Sequence, residues 1–252
     1  MNSQNIVYDD EFKLISPKSL DSFNNDFVNH TKRCLEDYKN LFETDNLDKL
    51  EIIIFDSLED YRDDYRQRFN REPPEYSRGN FGDKSMRIVI DQDLIPGTMY
   101  YNKAKSTGAH EAFHIYYRDF VYAEAQRIVW FDEGMAQYFS REKDDYSDDE
   151  FFKFYSKFRK SYVPINNLNE RVQGNLSVPD DKIFSRKGVI NGYPLSYLVI
   201  KYLAETKGED YLKLLMKDRA KILEYGDTIL EDMITYFDDK FKGRKQEDKI
   251  DR

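Results

Sequence analysis

Apolar residues recur along the chain with two different periods, which divide it into a mixed first half and a helical second half. Three short apolar runs have the length and composition of strands. Eight longer segments repeat their apolar residues every three to four positions, as amphipathic helices do. The predicted strands span residues 12–15, 50–55 and 86–91, and the predicted helices span 19–42, 58–69, 103–120, 130–141, 145–162, 193–205, 209–217 and 228–237.

The connections between these elements carry turn and capping residues. Ser19 follows Pro17 and has the hydroxyl typical of a helix N-cap, so the first helix is predicted to begin there. Residues 79–83 read Gly-Asn-Phe-Gly-Asp, which is typical of an irregular approach or a tight turn before the third strand. Residues 163–186 contain proline and asparagine without periodicity and are predicted to form a loop.

The order of the elements predicts an α+β fold in three parts. Residues 1–143 form an α/β part with a small mixed sheet, residues 144–240 form an all-helical subdomain, and residues 241–252 form a charged tail. A chain of 252 residues has ample core for one large domain or for two lobes that share a cleft. The active site is expected between the mixed and the helical half, because ligand sites favour such clefts.

Composition narrows the classes of function. The formal net charge is −9, with no basic run outside the mixed-sign C-terminus, which argues against nucleic-acid binding. Cys34 is the only cysteine, so an intrachain disulfide and a four-cysteine zinc site are excluded. No apolar run approaches the roughly 18–20 residues of a membrane span, and residues 1–5 lack the basic segment followed by an apolar run that is typical of a leader. We therefore expect a soluble, cytoplasmic protein without a membrane partner; secretion stays open, and the oligomeric state is undetermined.

Residues 110–114 read His-Glu-Ala-Phe-His, which is the H-E-x-x-H pattern of zinc hydrolases. On an α-helix four residues advance about 400°, so the imidazoles of His110 and His114 lie roughly 40° apart on one side. Two nitrogens so placed reach one Zn²⁺ at about 2.0–2.1 Å. Glu111 lies near the rim of that face, where it is suited to act on a metal-activated water. The alternative is a pair of helix histidines packed against aromatic neighbours such as Phe113.

A catalytic zinc site needs a third protein ligand and an open position. Glu133 is the candidate, since the 18 residues between it and His114 allow the motif helix to end and a second helix to pack back. Taken alone, Glu133 would be an ordinary carboxylate near a helix N-terminus, favoured by the helix dipole. Asp119 and Asp132 either orient the ligand imidazoles or, as we prefer, are surface aspartates.

Two motifs carry a resemblance to a known family. The spacing H-E-x-x-H, 18 residues, Glu resembles that of the gluzincin metallopeptidases in the peptidase MA-like superfamily. Residues 130–138, Trp-x-x-Glu-Gly-x-Ala-x-Tyr, resemble the aminopeptidase-N-like branch. The resemblance implies a zincin-like fold, one Zn²⁺ on His110, His114 and Glu133, and a peptide or protein substrate.

The same resemblance implies a mechanism. The chain is expected to be a zinc-dependent metallopeptidase in which Glu111, as general base, takes a proton from the metal-activated water and passes it to the leaving amine. The segment from residue 192 is similar to the helix after the zinc ligands in that superfamily, whose first tyrosine assists the oxyanion. That match falls on Tyr193, with Tyr197 as the second option. A strand near residues 87–91 is predicted to pair with an extended substrate backbone.

One departure from the family pattern leaves the substrate open. Aminopeptidase-N-like enzymes read the substrate amino terminus with a Gly-x-Met-Glu-Asn motif, and residues 78–82 hold its approximate place without the glutamate. Aminopeptidase specificity is therefore not carried over from the family, and an endopeptidase or a peptidase with an unusual substrate fits the sequence equally well. The alternative function is a catalytically silent zincin-fold binding or regulatory protein, against which the intact Glu111 argues. Zinc-dependent hydrolysis of a non-peptide bond is the third possibility.

Overall fold

The computed structural model describes residues 4–75, 78–82, 84–91, 93–121, 127–161, 168 and 192–244. The chain forms two compact units: unit 1 comprises Met1–Glu124 and Phe139–Glu142, and unit 2 comprises Ala125–Tyr138 and Lys143–Arg252. The boundaries predicted at residues 143 and 240 stay a prediction. Most of the predicted loop at 163–186 and most of the predicted tail at 241–252 lie outside the described residues.

Unit 1 contains a five-stranded mixed sheet. The central strands are parallel to one another, and each edge strand pairs antiparallel with its neighbour. Buried and half-buried residues alternate along the second and third strands, as expected when one face of a sheet covers a core. The strands are β1 (Gln4–Tyr8), β2 (Phe12–Pro17), β3 (Leu50–Phe55), β4 (Gly79–Gly82) and β5 (Ser85–Val89), in the order β1-β2-β3-β5-β4.

Strand β4 occupies residues that were predicted to be irregular. Gly79 pairs with Ile88 and Gly82 with Ser85, so β4 forms an antiparallel ladder with β5. An added Cβ on Gly79 would lie 2.7 Å from the carbonyl oxygen of Arg87. This glycine therefore allows two strand backbones to approach closely, rather than marking a turn. The prediction of an irregular segment is wrong for these residues.

Three α-helices complete the described part of unit 1: α1 (Asp21–Phe42), α2 (Leu58–Phe69) and α3 (Met99–Phe120). A short 3₁₀ helix, Lys18–Leu20, precedes α1, and the N-cap of α1 is Leu20, without a side-chain hydrogen bond. The prediction of Ser19 as N-cap is therefore wrong. The Ser19 hydroxyl donates instead to Asp56 Oδ2 at 2.5 Å, which links the helix start to the residue after β3.

Helices make up the described elements of unit 2. They are α4 (Val129–Phe139, whose last residue belongs to unit 1), α5 (Asp148–Ser161), α6 (Gly192–Lys207), α7 (Glu209–Met216) and α8 (Arg219–Lys240). Helix α8 is longer at both ends than predicted. It begins earlier because the Asp218 side chain accepts a hydrogen bond from the Lys221 backbone at 3.0 Å and caps the helix. Aromatic rings pack α5 on α8, with Tyr155 and Phe237 centroids 5.4 Å apart.

The prediction of an α+β fold is confirmed for the described residues, which combine a five-stranded sheet with a larger share of helix. Aromatic side chains contribute many of the largest fully buried residues, including Tyr38, Phe27 and Phe113 in unit 1. Cys34 is buried on α1. Within the described ranges, no helix combines the length and the apolar character that a membrane crossing requires.

Candidate metal centre

Helix α3 brings the two motif histidines together. The Thr98 side chain accepts a hydrogen bond from the Tyr101 backbone and caps the helix, which then runs unbroken through residues 110–114. His114 is 4 % exposed, whereas His110 is half-buried. Their Nε2 atoms lie 3.2 Å apart, and their ring planes are inclined at 84°. The i, i+4 spacing therefore produces the shared face that the sequence predicted.

Packing of α1 holds this stretch of α3 in place. Gly108 faces Phe27, whose ring would overlap any added Cβ, so the two helices approach closely two residues before the first histidine. The buried Tyr38 hydroxyl donates to the Ala109 carbonyl oxygen at 3.0 Å. Burial raises the pKa of Tyr38 well above its usual value, so the phenol keeps the proton that it donates. The turn of α3 that carries the histidines thus packs against buried aromatic side chains of α1.

Helix α4 carries Glu133 in its second turn. Residues 130–137 are all buried, and Glu133 is 7 % exposed. Gly134 lies so close to α6 that an added Cβ would be 2.5 Å from the Ser196 carbonyl oxygen and 2.6 Å from Ile200 Cγ1. Packing therefore explains why a glycine follows the glutamate in the motif: it lets α6 approach the turn that carries the carboxylate.

Gln137, one turn further along α4, joins this helix to the beginning of α6. Its side-chain amide donates to the Tyr193 carbonyl oxygen at 2.9 Å and to the Glu133 carbonyl oxygen at 3.3 Å. The predicted oxyanion donor Tyr193 is 43 % exposed at the start of α6. Tyr197 is buried among aromatic rings, with the Phe154 centroid 5.8 Å away and Lys143 Nζ 4.4 Å from its own ring centre.

Arg127 contacts the two consecutive acids of α4. Its Nε donates to Asp132 Oδ2 at 2.5 Å, and its Nη2 donates to Glu133 Oε1 at 2.7 Å. Asp132 is 1 % exposed. The preference for a surface aspartate at position 132 is therefore wrong, and nothing in the sequence motif marked the arginine. Asp119, by contrast, is exposed and pairs with Lys84.

His110, His114 and Glu133 form a group that fits a metal ion. Each of the three side chains offers one ligand atom, and these atoms all lie within 4.8 Å of one another. Two ligands at about 2.0–2.1 Å from a tetrahedral ion lie about 3.3 Å apart, close to the 3.2 Å between the histidine nitrogens. Two imidazoles and one carboxylate are a donor set typical of catalytic zinc sites.

Glu111 follows His110 on α3 and is half-buried. It lies in the position that H-E-x-x-H gives to the general base, between the two histidines in sequence. The predicted substrate-pairing strand at 87–91 needs correction, because β5 is bonded to β3 on one side and to β4 on the other. An extended substrate therefore cannot pair with β5 as an additional strand. The outermost described strand beside β5 is β4.

Comparison with solved structures finds an aminopeptidase N family protein from Idiomarina loihiensis, with a TM-score of 0.50 and 13 % sequence identity. The match covers 96 % of this chain and 45 % of that one, so this chain spans less than half the length of the protein that it resembles. At this identity the similarity concerns the fold alone, which is consistent with a zincin-like arrangement. No protein-family model matches the chain, and no curated protein matches it in sequence.

Proposed function

We propose that this protein is a zinc-dependent metallopeptidase of the gluzincin type, with one Zn²⁺ held by His110, His114 and Glu133. The observation that carries the proposal is the convergence of these three ligand atoms within 4.8 Å, with Glu111 next to one of the histidines. The similarity of fold to an aminopeptidase N family protein supports the same class. A purely structural metal site would have no use for the adjacent carboxylate.

The chain's own residues account for the proton transfers. Zn²⁺, when bound, supplies Lewis acidity that polarises the scissile carbonyl and lowers the pKa of a water toward ~7. Glu111 accepts a proton from the attacking water on its carboxylate and delivers it to the amine nitrogen as the C–N bond breaks. The hydroxyl of Tyr193 is proposed to donate a hydrogen bond to the developing oxyanion. Tyr197 is the second option for that donor.

Peptidase activity is tested by incubating the purified protein with a mixed peptide library, with and without added Zn²⁺ and with a chelator. We expect cleavage that the chelator abolishes and Zn²⁺ restores. Zinc binding without any cleavage would contradict the proposal and favour the catalytically silent binding protein. Cleavage that survives exhaustive chelation would contradict the role of the metal.

Glu111→Gln tests the general base. The amide keeps the size of the side chain but cannot accept the proton, so we expect kcat to fall by about 10²- to 10⁴-fold while bound zinc stays near one equivalent. Asp119→Asn is the matched control, since Asp119 is an acid on the same helix that pairs with Lys84. Turnover of Glu111→Gln equal to that of the control would exclude this role for Glu111.

A further inference from the structure

Arg127 divides one edge of its guanidinium between two neighbouring carboxylates. The Nε and Nη2 groups usually bind the two oxygens of a single carboxylate. Here Nε contacts Asp132 and Nη2 contacts Glu133 Oε1, over sequence separations of only 5 and 6 residues. The arrangement is therefore local to the segment that enters α4, and it fixes the two acids relative to each other.

Burial makes this contact energetically important. The side chains of Asp132 and Glu133 are 1 % and 10 % exposed, and that of Arg127 is 23 % exposed. Two adjacent carboxylates with so little exposure require a compensating cation, because desolvation disfavours each charge and their mutual repulsion disfavours both together. Arg127 supplies that charge with two directed hydrogen bonds, which a mobile ion would not provide.

We infer that Arg127 is a positioning residue for the metal ligand Glu133, an inference that rests on the proposed function. By engaging Oε1 at 2.7 Å, Arg127 sets the rotation of the carboxylate with which Glu133 would hold the metal. Asp132 accepts from the neighbouring Nε on the same edge and so fixes the guanidinium beside Glu133. Replacing a residue that orients a metal ligand in this way typically lowers the affinity for the metal by about 10- to 100-fold.

A different role for Arg127 predicts the opposite result. A guanidinium that only neutralises Glu133 would compete with the metal for the carboxylate, so its removal would tighten zinc binding. A positioning residue holds the carboxylate in its binding orientation, so its removal weakens zinc binding. The sign of the change in zinc affinity therefore separates the two roles.

The test compares Arg127→Gln and Arg127→Lys with the unmodified protein, using competition for Zn²⁺ against a chromophoric chelator. We expect about 10- to 100-fold weaker zinc binding for Arg127→Gln. Arg127→Lys is also expected to bind more weakly, since one ammonium keeps the charge but lacks the planar fork that spans both acids. Arg159→Gln is the control, because Arg159 is another unit 2 arginine, paired with Asp238 at 3.2 Å.

Each outcome decides a definite point. Unchanged or tighter zinc binding in the folded Arg127 variants, with normal binding in the unmodified protein, overturns the inference and leaves the proposed function intact. Failure of the unmodified protein to bind Zn²⁺ overturns the proposed function itself. Circular dichroism reports folding; if Arg127→Gln is unfolded, Arg127→Lys decides. If neither variant folds, the ion pairs serve folding, and the positioning role is rejected.

Discussion

The burial of Asp132 shows where reasoning about a single residue reaches its limit. An acid in the first turn of a helix is usually exposed and favoured by the helix dipole, which led to the prediction of a surface aspartate. The whole stretch 130–137 is buried, however, so an acid there is buried whatever its intrinsic preference. Its partner Arg127 lies before the helix, where no periodicity marks it. Residue type predicted which side chains converge but not the residues that hold them in place.

Glu205 carries a charge that stabilises the fold, and this stabilisation depends on pH. It accepts hydrogen bonds from Tyr236 and Lys240, each at 2.7 Å, and pairs with Lys201 at 3.1 Å. Burial acts to raise the pKa of Glu205, but the bonds from Lys240 and Tyr236 outweigh it, and the net shift is downward. A lowered carboxyl pKa stabilises the fold above the unfolded pKa of about 4.3, and that stabilisation is lost as pH falls through the folded pKa.

Glu205→Gln should therefore destabilise the protein at neutral pH and matter less in acid. We expect a loss of about 1 kcal/mol in the free energy of unfolding at pH 7, because a partly exposed charged hydrogen-bond network is disrupted. The difference from the unmodified protein should narrow as pH falls below about 4. Urea denaturation at both pH values measures it, with the exposed Glu231→Gln on α8, the helix that carries Tyr236 and Lys240, as control. A difference that widened in acid would contradict the downward pKa shift.

Helix packing around Gly134 carries the next prediction. Glycine to alanine inside a helix normally stabilises it by about 1 kcal/mol. At this position the new methyl group would overlap the Ser196 backbone and the Ile200 side chain on α6. Backbone cannot move aside as a flexible side chain can, so we expect Gly134→Ala to destabilise the protein by about 1–3 kcal/mol.

Urea denaturation measures the effect of Gly134→Ala. Gly82→Ala is the control, because an added Cβ on Gly82 meets nothing within 4 Å and should change the free energy of unfolding by less than about 0.5 kcal/mol. A stabilised Gly134→Ala variant would show that α4 and α6 have room to separate. The motif glycine would then need another explanation.

Periodicity predicted the elements with strong internal patterns and missed those defined by a neighbour. Strand β3 was predicted with the bounds observed, since its β-branched residues favour a strand without help. Strand β1 was not predicted, and β4 was assigned to a turn, because both are edge strands whose hydrogen bonds come from an adjacent strand. Helix α3 begins at Met99, four residues before its predicted start at 103, because Thr98 caps it.

At the scale of the whole chain, local spacing predicted the convergence of His110, His114 and Glu133 better than the contacts that support it. The separation between the H-E-x-x-H motif and Glu133 is a short-range signal, and the three side chains converge. The supporting contacts join residues that are far apart in sequence: 71 positions separate Tyr38 from Ala109, and 56 separate Gln137 from Tyr193. Such pairings follow from tertiary packing, so one sequence without relatives cannot indicate them.

Metal binding should also be visible in the stability of the entire protein. Because an ion that binds the folded state alone stabilises it by mass action, zinc at about 100 times its Kd should add about 2.7 kcal/mol. For a chain of this size that corresponds to a rise in Tm of about 5–10 °C. Scanning calorimetry of metal-free protein with and without Zn²⁺ measures it. Mg²⁺ should have no comparable effect, since it prefers oxygen ligands.

His114→Ala separates this site from zinc binding elsewhere. Without one imidazole the proposed ligand set is incomplete, so the zinc-dependent rise in Tm should largely disappear. His30 is the control because it is the remaining histidine, buried on α1 with its Nε2 2.7 Å from the Ser140 carbonyl oxygen. His30→Gln should keep the zinc-dependent rise, whatever its own effect on the metal-free Tm. If His114→Ala kept the full rise and His30→Gln lost it, the metal would bind at His30, and the assignment of His110, His114 and Glu133 would be wrong.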